Sequence, residues 1–145
     1  MKIIFLDIDG VLNNLSTLRE GQRFHQSCID ALNTITDITK ARIVISSAYR
    51  GHPLIKTMLK EAGVTGRIIG ITPRSRKAHS QRGCEIAEWL AGRPHVKQFV
   101  ILDDDSFDMG DLLPKLVRTS YNTGLSPQDA LDAIRMLLNQ KRTLE

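Results

Sequence analysis

Two pairs of aspartates in this sequence stand where apolar segments end, and together they could bind a cation and carry out group transfer. Asp7 and Asp9 follow the apolar run over residues 3–6, and Asp103 and Asp104 follow a second apolar run. Such runs are typical of strands buried on both faces of a parallel sheet. Side chains two apart in a strand point the same way, so we expect the first two carboxylates to share one side. Two negative charges at such close range are unfavourable unless a cation or a shared proton lies between them.

The residue types at these strand ends suit a hard divalent cation. Mg²⁺ takes a few carboxylate oxygens, together with water and substrate phosphate. Asp7 and Asp103 or Asp104 are therefore candidate ligands. Gly10 allows a tight turn beside them. An Asp-Gly turn that merely caps a strand is the alternative, but paired acids after an apolar run favour a site.

The elements that must position these aspartates alternate along the chain. Strands are predicted over residues 3–6, 41–45, 67–71, 96–102 and 116–119, and amphipathic helices over 27–38, 54–62, 83–91 and 127–140. This alternation predicts an α/β fold with a doubly wound, mainly parallel sheet. Residues 13–25 are predicted to be an irregular polar loop, and residues 72–82 a basic polar loop.

Length and composition indicate one globular domain. The 145 residues are enough for one core and too few for two. We assign residues 1–143 to the domain and regard Leu144-Glu145 as a candidate cloning scar. Cys28 and Cys84 are too few for a disulfide framework, so both are expected to be buried thiols in a reducing compartment.

The expected location is the cytoplasm. No apolar run approaches the roughly 20 residues needed to span a bilayer, and Met1 leads directly into the first strand, which predicts no signal peptide. The net charge of +4 and the pI near 9.3 favour an anionic substrate, and a nucleic acid is one such substrate.

The segments LDIDGVL, ISSAYR, RGCEIAEWL and ILDDD together resemble the haloacid dehalogenase (HAD) superfamily, and in particular the HAD domain of RNA-repair proteins and some phage proteins. The resemblance covers nearly the whole chain and implies a three-layer Rossmannoid fold that is essentially capless. It also implies that Asp7 is the nucleophile and Asp9 the general acid and base. The metal ligands it implies are Asp7, the backbone carbonyl of Asp9, and Asp103 or Asp104. Ala48 and Tyr49 depart from the SSSWR-like second motif of that group.

The resemblance further implies a Ser or Thr after the second strand and a basic residue before the fourth. Ser46 fits the first position, with Ser47 as a near-equal alternative because strand ends are uncertain by a residue or two. Arg50 is a candidate phosphate clamp, since a guanidinium can hold two oxygens at once. For the basic position we prefer Arg82, followed by Lys77, and spacing alone does not separate these two from Arg74 and Arg76.

These residues together predict a Mg²⁺-dependent phosphatase, because Asp9 occupies a position at which HAD dehalogenases lack an aspartate and transport ATPases carry threonine. Capless members often act on macromolecules, so a nucleotide or a nucleic-acid end is the first substrate hypothesis. A small-metabolite or phosphoprotein phosphatase is the second. A non-catalytic phosphate-binding module is the third, and it is disfavoured because both catalytic aspartates are present.

Overall fold

Within residues 1–74 and 82–139, which the computed structural model describes, five strands form one sheet. The strands are β1 (Lys2–Leu6), β2 (Arg42–Ile45), β3 (Ile68–Ile71), β4 (Gln98–Asp103) and β5 (Leu116–Arg118). Their order is β3-β2-β1-β4-β5, and every neighbouring pair is parallel. The predicted α/β Rossmannoid fold is therefore confirmed.

Helices cover both faces of this sheet. They are α1 (Leu15–Arg19), α2 (Gln26–Thr39), α3 (Ile55–Glu61), α4 (Arg82–Ala91) and α5 (Pro127–Leu137), with short 3-10 segments at Ala48–Gly51 and Gly110–Lys115. Buried side chains of α2, α3 and α5 fill the core on one face, and α4 packs on the other. The predicted start of the last helix at residue 127 is confirmed, and the Ser126 side chain caps this helix by accepting a hydrogen bond from the Asp129 N–H.

The central strand β1 supplies both cores. Ile4 and Leu6 point into the core under α2 and α5, whereas Ile3 and Phe5 point toward α4. The Phe5 ring packs edge-on against Trp89 of α4, with 5.5 Å between the ring centroids. Since β1 is fully buried on both faces, its carboxyl end is fixed firmly enough to carry a site.

Several local predictions were wrong. Residues 13–20 are not irregular throughout, because Asn14 caps the short helix α1, whose single buried residue, Thr17, leaves no apolar periodicity to detect. Cys84 is exposed rather than buried. Helical spacing predicts that Ile38 shares the buried face of α2 with Ile35, but Ile38 is 55% exposed, because it lies off that face near the end of the helix.

Between β1 and α2 the chain contains no element other than α1. The candidate scar at Leu144 and Glu145 lies outside the described residues, as do residues 75–81 of the predicted basic loop. Over the described ranges, no helix combines the length and the apolar character that crossing a bilayer requires.

Candidate active site

The site lies where the strand order reverses. After β3 the chain crosses to the other side of β1 and returns as β4, so the carboxyl ends of β1 and β4 flank a topological switch point. Asp7 directly follows β1, and its N–H donates to the Leu102 carbonyl at 3.0 Å. Asp103 is the last residue of β4. The two predicted acidic positions are therefore brought together by the sheet itself.

Three carboxylates form the acidic cluster, which consists of Asp7, Asp103 and Asp104. Each offers one oxygen, and these oxygens lie within 4.8 Å of one another. Asp7 and Asp103 are 7% and 1% exposed, and Asp104 is half-buried. Gly10 has a φ of +80°, and a Cβ there would collide with the Asp104 carboxylate. The glycine is thus needed both for the turn and for the close approach of Asp104.

Arg82 lies against this cluster. Its Nη1 donates to Asp103 Oδ2 at 2.7 Å and is 3.0 Å from Asp7 Oδ1. Burial by itself would lower the pKa of Arg82, but attraction to Asp7 and Asp103 outweighs burial and raises the pKa above its usual value. Two of the basic candidates for this position, Arg74 and Arg82, are among the described residues. Of these two, Arg82 contacts Asp7.

The Asp7 carboxyl is strongly perturbed. Burial is the largest cause, and repulsion from Asp103 adds to it, while Arg82 opposes both, so that the pKa of Asp7 is raised from 3.8 to about 7. The pKa of Asp104 is also raised, by burial first and then by Asp103. The cluster therefore carries more negative charge than one arginine compensates, which is the condition under which a bound cation is favourable.

Asp9 is exposed and is held by a buried asparagine. Asn13 is 1% exposed, and its Nδ2 donates to Asp9 Oδ1 at 2.9 Å and to the Arg23 carbonyl at 3.0 Å. Asn13 Oδ1 accepts the Gly10 N–H at 2.9 Å. All three bonds fix the amide, so one oxygen of Asp9 is held in place.

The two serine candidates after β2 have different surroundings. Ser46 is completely buried, and its Oγ has no hydrogen-bond partner among the described residues. Ser47 Oγ instead accepts the Tyr49 N–H at 3.1 Å and begins the 3-10 segment. An unsatisfied buried hydroxyl is costly, so Ser46 is the one whose hydroxyl is available to a ligand.

The predicted phosphate clamp, Arg50, is largely occupied by the protein. Its Nη2 forms a 2.6 Å ion pair with Glu85 of α4, and its Nη1 donates to the Ser47 carbonyl at 3.0 Å. Nη2 therefore ties the loop after β2 to α4, and Nη1 holds the side chain against its own loop. Lys77 and Arg76, the other basic candidates, lie outside the described residues.

Sequence reasoning missed two residues at the site. Asn13 was included in a polar loop, although its place four residues after Asp9 and directly after a buried apolar pair was a usable signal. Phe107 is 70% exposed and lines the same pocket as Asp7, Arg82 and the acidic cluster. A single phenylalanine in an acidic loop gave no pattern from which to predict this position.

A parallel α/β sheet with acidic residues at its switch point defines a class of domains that bind ligands at the carboxyl ends of their strands. Within that class, the family model described as the HAD domain in Swiss Army Knife RNA repair proteins matches residues 3–130. The chain belongs to this family, and the predicted membership of the HAD superfamily is confirmed. No curated protein and no solved structure gives a significant match.

Proposed function

We propose that this protein is a Mg²⁺-dependent phosphatase that hydrolyses phosphomonoesters through an aspartyl-phosphate intermediate on Asp7. The observation that carries the proposal is the placement of Asp7, at the switch point of a HAD-family domain, within an acidic cluster and in contact with Arg82. The expected substrate is a nucleotide or a nucleic-acid end.

The acidic cluster fits a hard divalent cation, because it offers three carboxylate oxygens within 4.8 Å of one another. Asp7, Asp103 and Asp104 would hold Mg²⁺, together with the backbone carbonyl of Asp9. When bound, the cation supplies positive charge that offsets the charge of the phosphate and of the attacking carboxylate.

In the first step, an oxygen of the Asp7 carboxylate attacks phosphorus, and the bond between phosphorus and the leaving oxygen breaks. Asp9 transfers its proton to that oxygen, so the alcohol departs neutral. Asn13 donates to Asp9 Oδ1 and leaves Oδ2 to carry this proton. Arg82 touches Asp7 and bears positive charge where the phosphate oxygens would gather.

In the second step, Asp9, now ionised, accepts a proton from water as the water oxygen attacks phosphorus. The bond between phosphorus and Asp7 breaks, which releases inorganic phosphate and regenerates both aspartates. The Ser46 hydroxyl, which is buried and lacks a partner within the described part of the chain, would donate to a phosphate oxygen in both steps.

Three observations favour a nucleic-acid end as the substrate. The family is described by its occurrence in RNA repair proteins, and the chain carries a net charge of +4. The exposed Phe107 ring stands beside the site, where it could stack on a base, since base stacking on aromatic side chains is tolerant of sequence.

The first test is phosphate release from p-nitrophenyl phosphate with Mg²⁺. We expect Asp7→Asn to lower kcat at least a thousandfold, because the amide cannot form the covalent intermediate, and we expect EDTA to abolish turnover by the unsubstituted protein. Asp37→Asn is the matched control, since Asp37 is exposed on α2 and remote from the acidic cluster. Activity that survives Asp7→Asn would contradict the assignment of the nucleophile.

A substrate panel tests the proposed class of substrate. Oligonucleotides phosphorylated at the 5′ or the 3′ end are compared by kcat/KM with mononucleotides, sugar phosphates and phosphopeptides. A preference for the oligonucleotides supports the proposal, and equal or better turnover of the small phosphates would overturn the nucleic-acid assignment.

A further inference from the structure

A second cavity opens beside the proposed active site, on the side of β3. It has a volume of about 460 Å³ and lies between the loops that follow β2 and β3 and the second half of α4. The residues that give it its chemistry are Arg50, Thr72, Arg74, Glu88, Trp89 and Arg93. Since β3 is two strands away from β1, this cavity lies about 10 Å to one side of Asp7.

The cavity is rich in positive charge. Three arginines and one carboxylate, that of Glu88, line it, and Arg50 is also paired with Glu85 of α4. Burial lowers the pKa of Arg50, and the nearby positive charges of Arg74 and Arg82 lower it further, against the opposing effect of Glu85. Guanidinium groups that repel one another in this way are stabilised by a bound anion.

Two buried hydrogen-bond donors on the cavity wall are unsatisfied. Thr72 is 1% exposed, and its Oγ1 has no hydrogen-bond partner in the described part of the chain. The buried Nε of Arg50 also lacks a hydrogen-bond partner there. A buried donor left unpaired is unfavourable, so two of them on one wall indicate a missing acceptor.

We propose that this cavity binds a phosphodiester group of a nucleic-acid strand whose terminal phosphate lies at Asp7. The proposal rests on the proposed phosphatase function, since it extends the same substrate beyond the active site. Thr72 and Arg50 Nε donate to the phosphate oxygens. Arg74 contributes a positive charge that forms no ion pair with an acid of the described residues. A substrate with a single phosphate cannot reach both places.

The test is equilibrium binding of fluorescent hexaribonucleotides with a 5′- or a 3′-phosphate, measured by anisotropy in EDTA so that no turnover occurs. We expect Arg74→Gln to weaken binding about tenfold and to reduce the slope of log K against log salt by about one. Thr72→Val removes the hydroxyl while keeping the shape, and it is expected to weaken binding severalfold. Arg135→Gln, an exposed arginine on α5, is the matched control and should bind like the unsubstituted protein.

The same variants are then compared by turnover. The ratio of kcat/KM for the phosphorylated hexanucleotide to that for p-nitrophenyl phosphate should fall about tenfold in Arg74→Gln. Three outcomes would overturn the proposal. They are unchanged binding in both Arg74→Gln and Thr72→Val, no binding by the unsubstituted protein, and Arg74-dependent binding of a doubly phosphorylated peptide that is tighter than binding of the hexanucleotide. If Arg74-dependent binding is seen in a protein that releases no phosphate, the phosphatase function fails and the binding site stands.

Discussion

The Asp7 carboxyl is the most informative single group in the molecule. It is buried, it lies beside Asp103, and its one close positive partner, among the residues described, is Arg82. Its pKa is raised to about 7, so without a cation the folded protein disfavours the ionised form of this carboxyl group. In the proposed mechanism Asp7 attacks as a carboxylate, so the proposal requires additional positive charge, such as a bound cation, beside Asp7.

The raised pKa of Asp7 predicts how stability depends on pH in the metal-free protein. Because the folded-state value of about 7 exceeds the ordinary 3.8, the folded protein binds more protons between about pH 4 and 7. The free energy of unfolding is therefore expected to fall as the pH rises through that interval. Asp7→Asn lacks this titration. As the pH rises from 4 to 7, urea unfolding in EDTA should therefore show the unsubstituted protein losing stability relative to the variant.

Adding Mg²⁺ to the same unfolding series measures how much a bound cation contributes to stability. The ion should restore stability at pH 7 more in the unsubstituted protein than in Asp7→Asn, since the variant has lost one carboxylate of the cluster. A stability difference between the two proteins that stays constant from pH 4 to 7 would contradict the raised pKa of Asp7.

Asn13 is predicted to act as a positioning residue for Asp9. Asn13→Ala removes the donor to Asp9 Oδ1 and the acceptor for the Gly10 N–H, and we expect kcat to fall about tenfold, with little change in KM. Asn13→Asp keeps the acceptor for Gly10 but places a like charge beside Asp9. Its pH–rate profile should move to higher pH, because a neighbouring negative charge favours the protonated form of a carboxyl group.

A purely structural role for Asn13 would give a different result. In that case Asn13→Asp would lower thermal stability but leave the pH–rate profile at the same pH as in the unsubstituted protein.

The sequence was sufficient to predict where the acids lie, because Asp7 and Asp103 each follow a strand whose apolar run is unmistakable. It could not show that Asn13 holds Asp9 or that Arg50 is paired with Glu85, since both contacts depend on side-chain directions in loops. Nor could it separate Arg82 from Arg74, because both lie near the ends of the predicted basic loop, and only the packing of α4 places one of them on Asp7.

At the scale of elements, the position of Arg82 depends on how closely α4 approaches the loop after β4. Gly83 is the second residue of α4, and a Cβ at this position would be 3.1 Å from both the Asp108 carbonyl carbon and the Met109 Cα. Asp108 itself has a φ of +64°, so its backbone has little freedom to move aside. The absence of a side chain at Gly83 thus lets the helix seat Arg82 against the acidic cluster.

Gly83→Ala is therefore expected to disturb the site even though alanine is the better helix former. We expect a loss of about 1–3 kcal/mol in unfolding free energy and at least a tenfold loss of kcat, measured by urea unfolding and by p-nitrophenyl phosphate turnover.

Gly92→Ala is the control at the other end of the same helix, because a Cβ there meets nothing within 4 Å. It should leave activity within about twofold of the unsubstituted protein. Equal effects of the two substitutions would show that the close approach of the loop to Gly83 is unimportant.

Elements with a strong apolar pattern were predicted within one or two residues. β1 and α2 are examples, since each buries a continuous set of side chains. α5 begins at the predicted residue 127 but ends at Leu137, three residues before the predicted end. The helix α1 could not be predicted, because its five residues bury only Thr17 and it is held by the cap at Asn14. β4 continues one residue further than predicted, to Asp103, because pairing with β5 extends to that residue and an acid is tolerated where the strand ends in a site.

At the scale of the whole molecule, one sheet is shared by two cores. The residues of β1 alternate between them, so a change in either core is transmitted to the strand that carries Asp7. Trp89, the only tryptophan in the sequence, is packed on the α4 side and reports on that core by its fluorescence.

This arrangement predicts a single cooperative unfolding transition. Leu32→Ala removes a fully buried side chain on the opposite face of the sheet, and it should lower the unfolding free energy by about 2–5 kcal/mol. The denaturation midpoint seen by Trp89 fluorescence should shift as far as the midpoint seen by far-ultraviolet circular dichroism. Separate midpoints for the two signals would show that the cores unfold independently.

The central place of β1 has a consequence for how the protein is made. β1 precedes both of its partners in the chain, and its second edge is completed only when β4 emerges from the ribosome, more than fifty residues after β2. At a synthesis rate of 5–20 residues per second, an apolar strand edge is exposed on the nascent chain for roughly 3–10 s. Such an edge is a template for unwanted pairing. The strand that leads into Asp7 is thus also the segment of the described chain most in need of protection during translation.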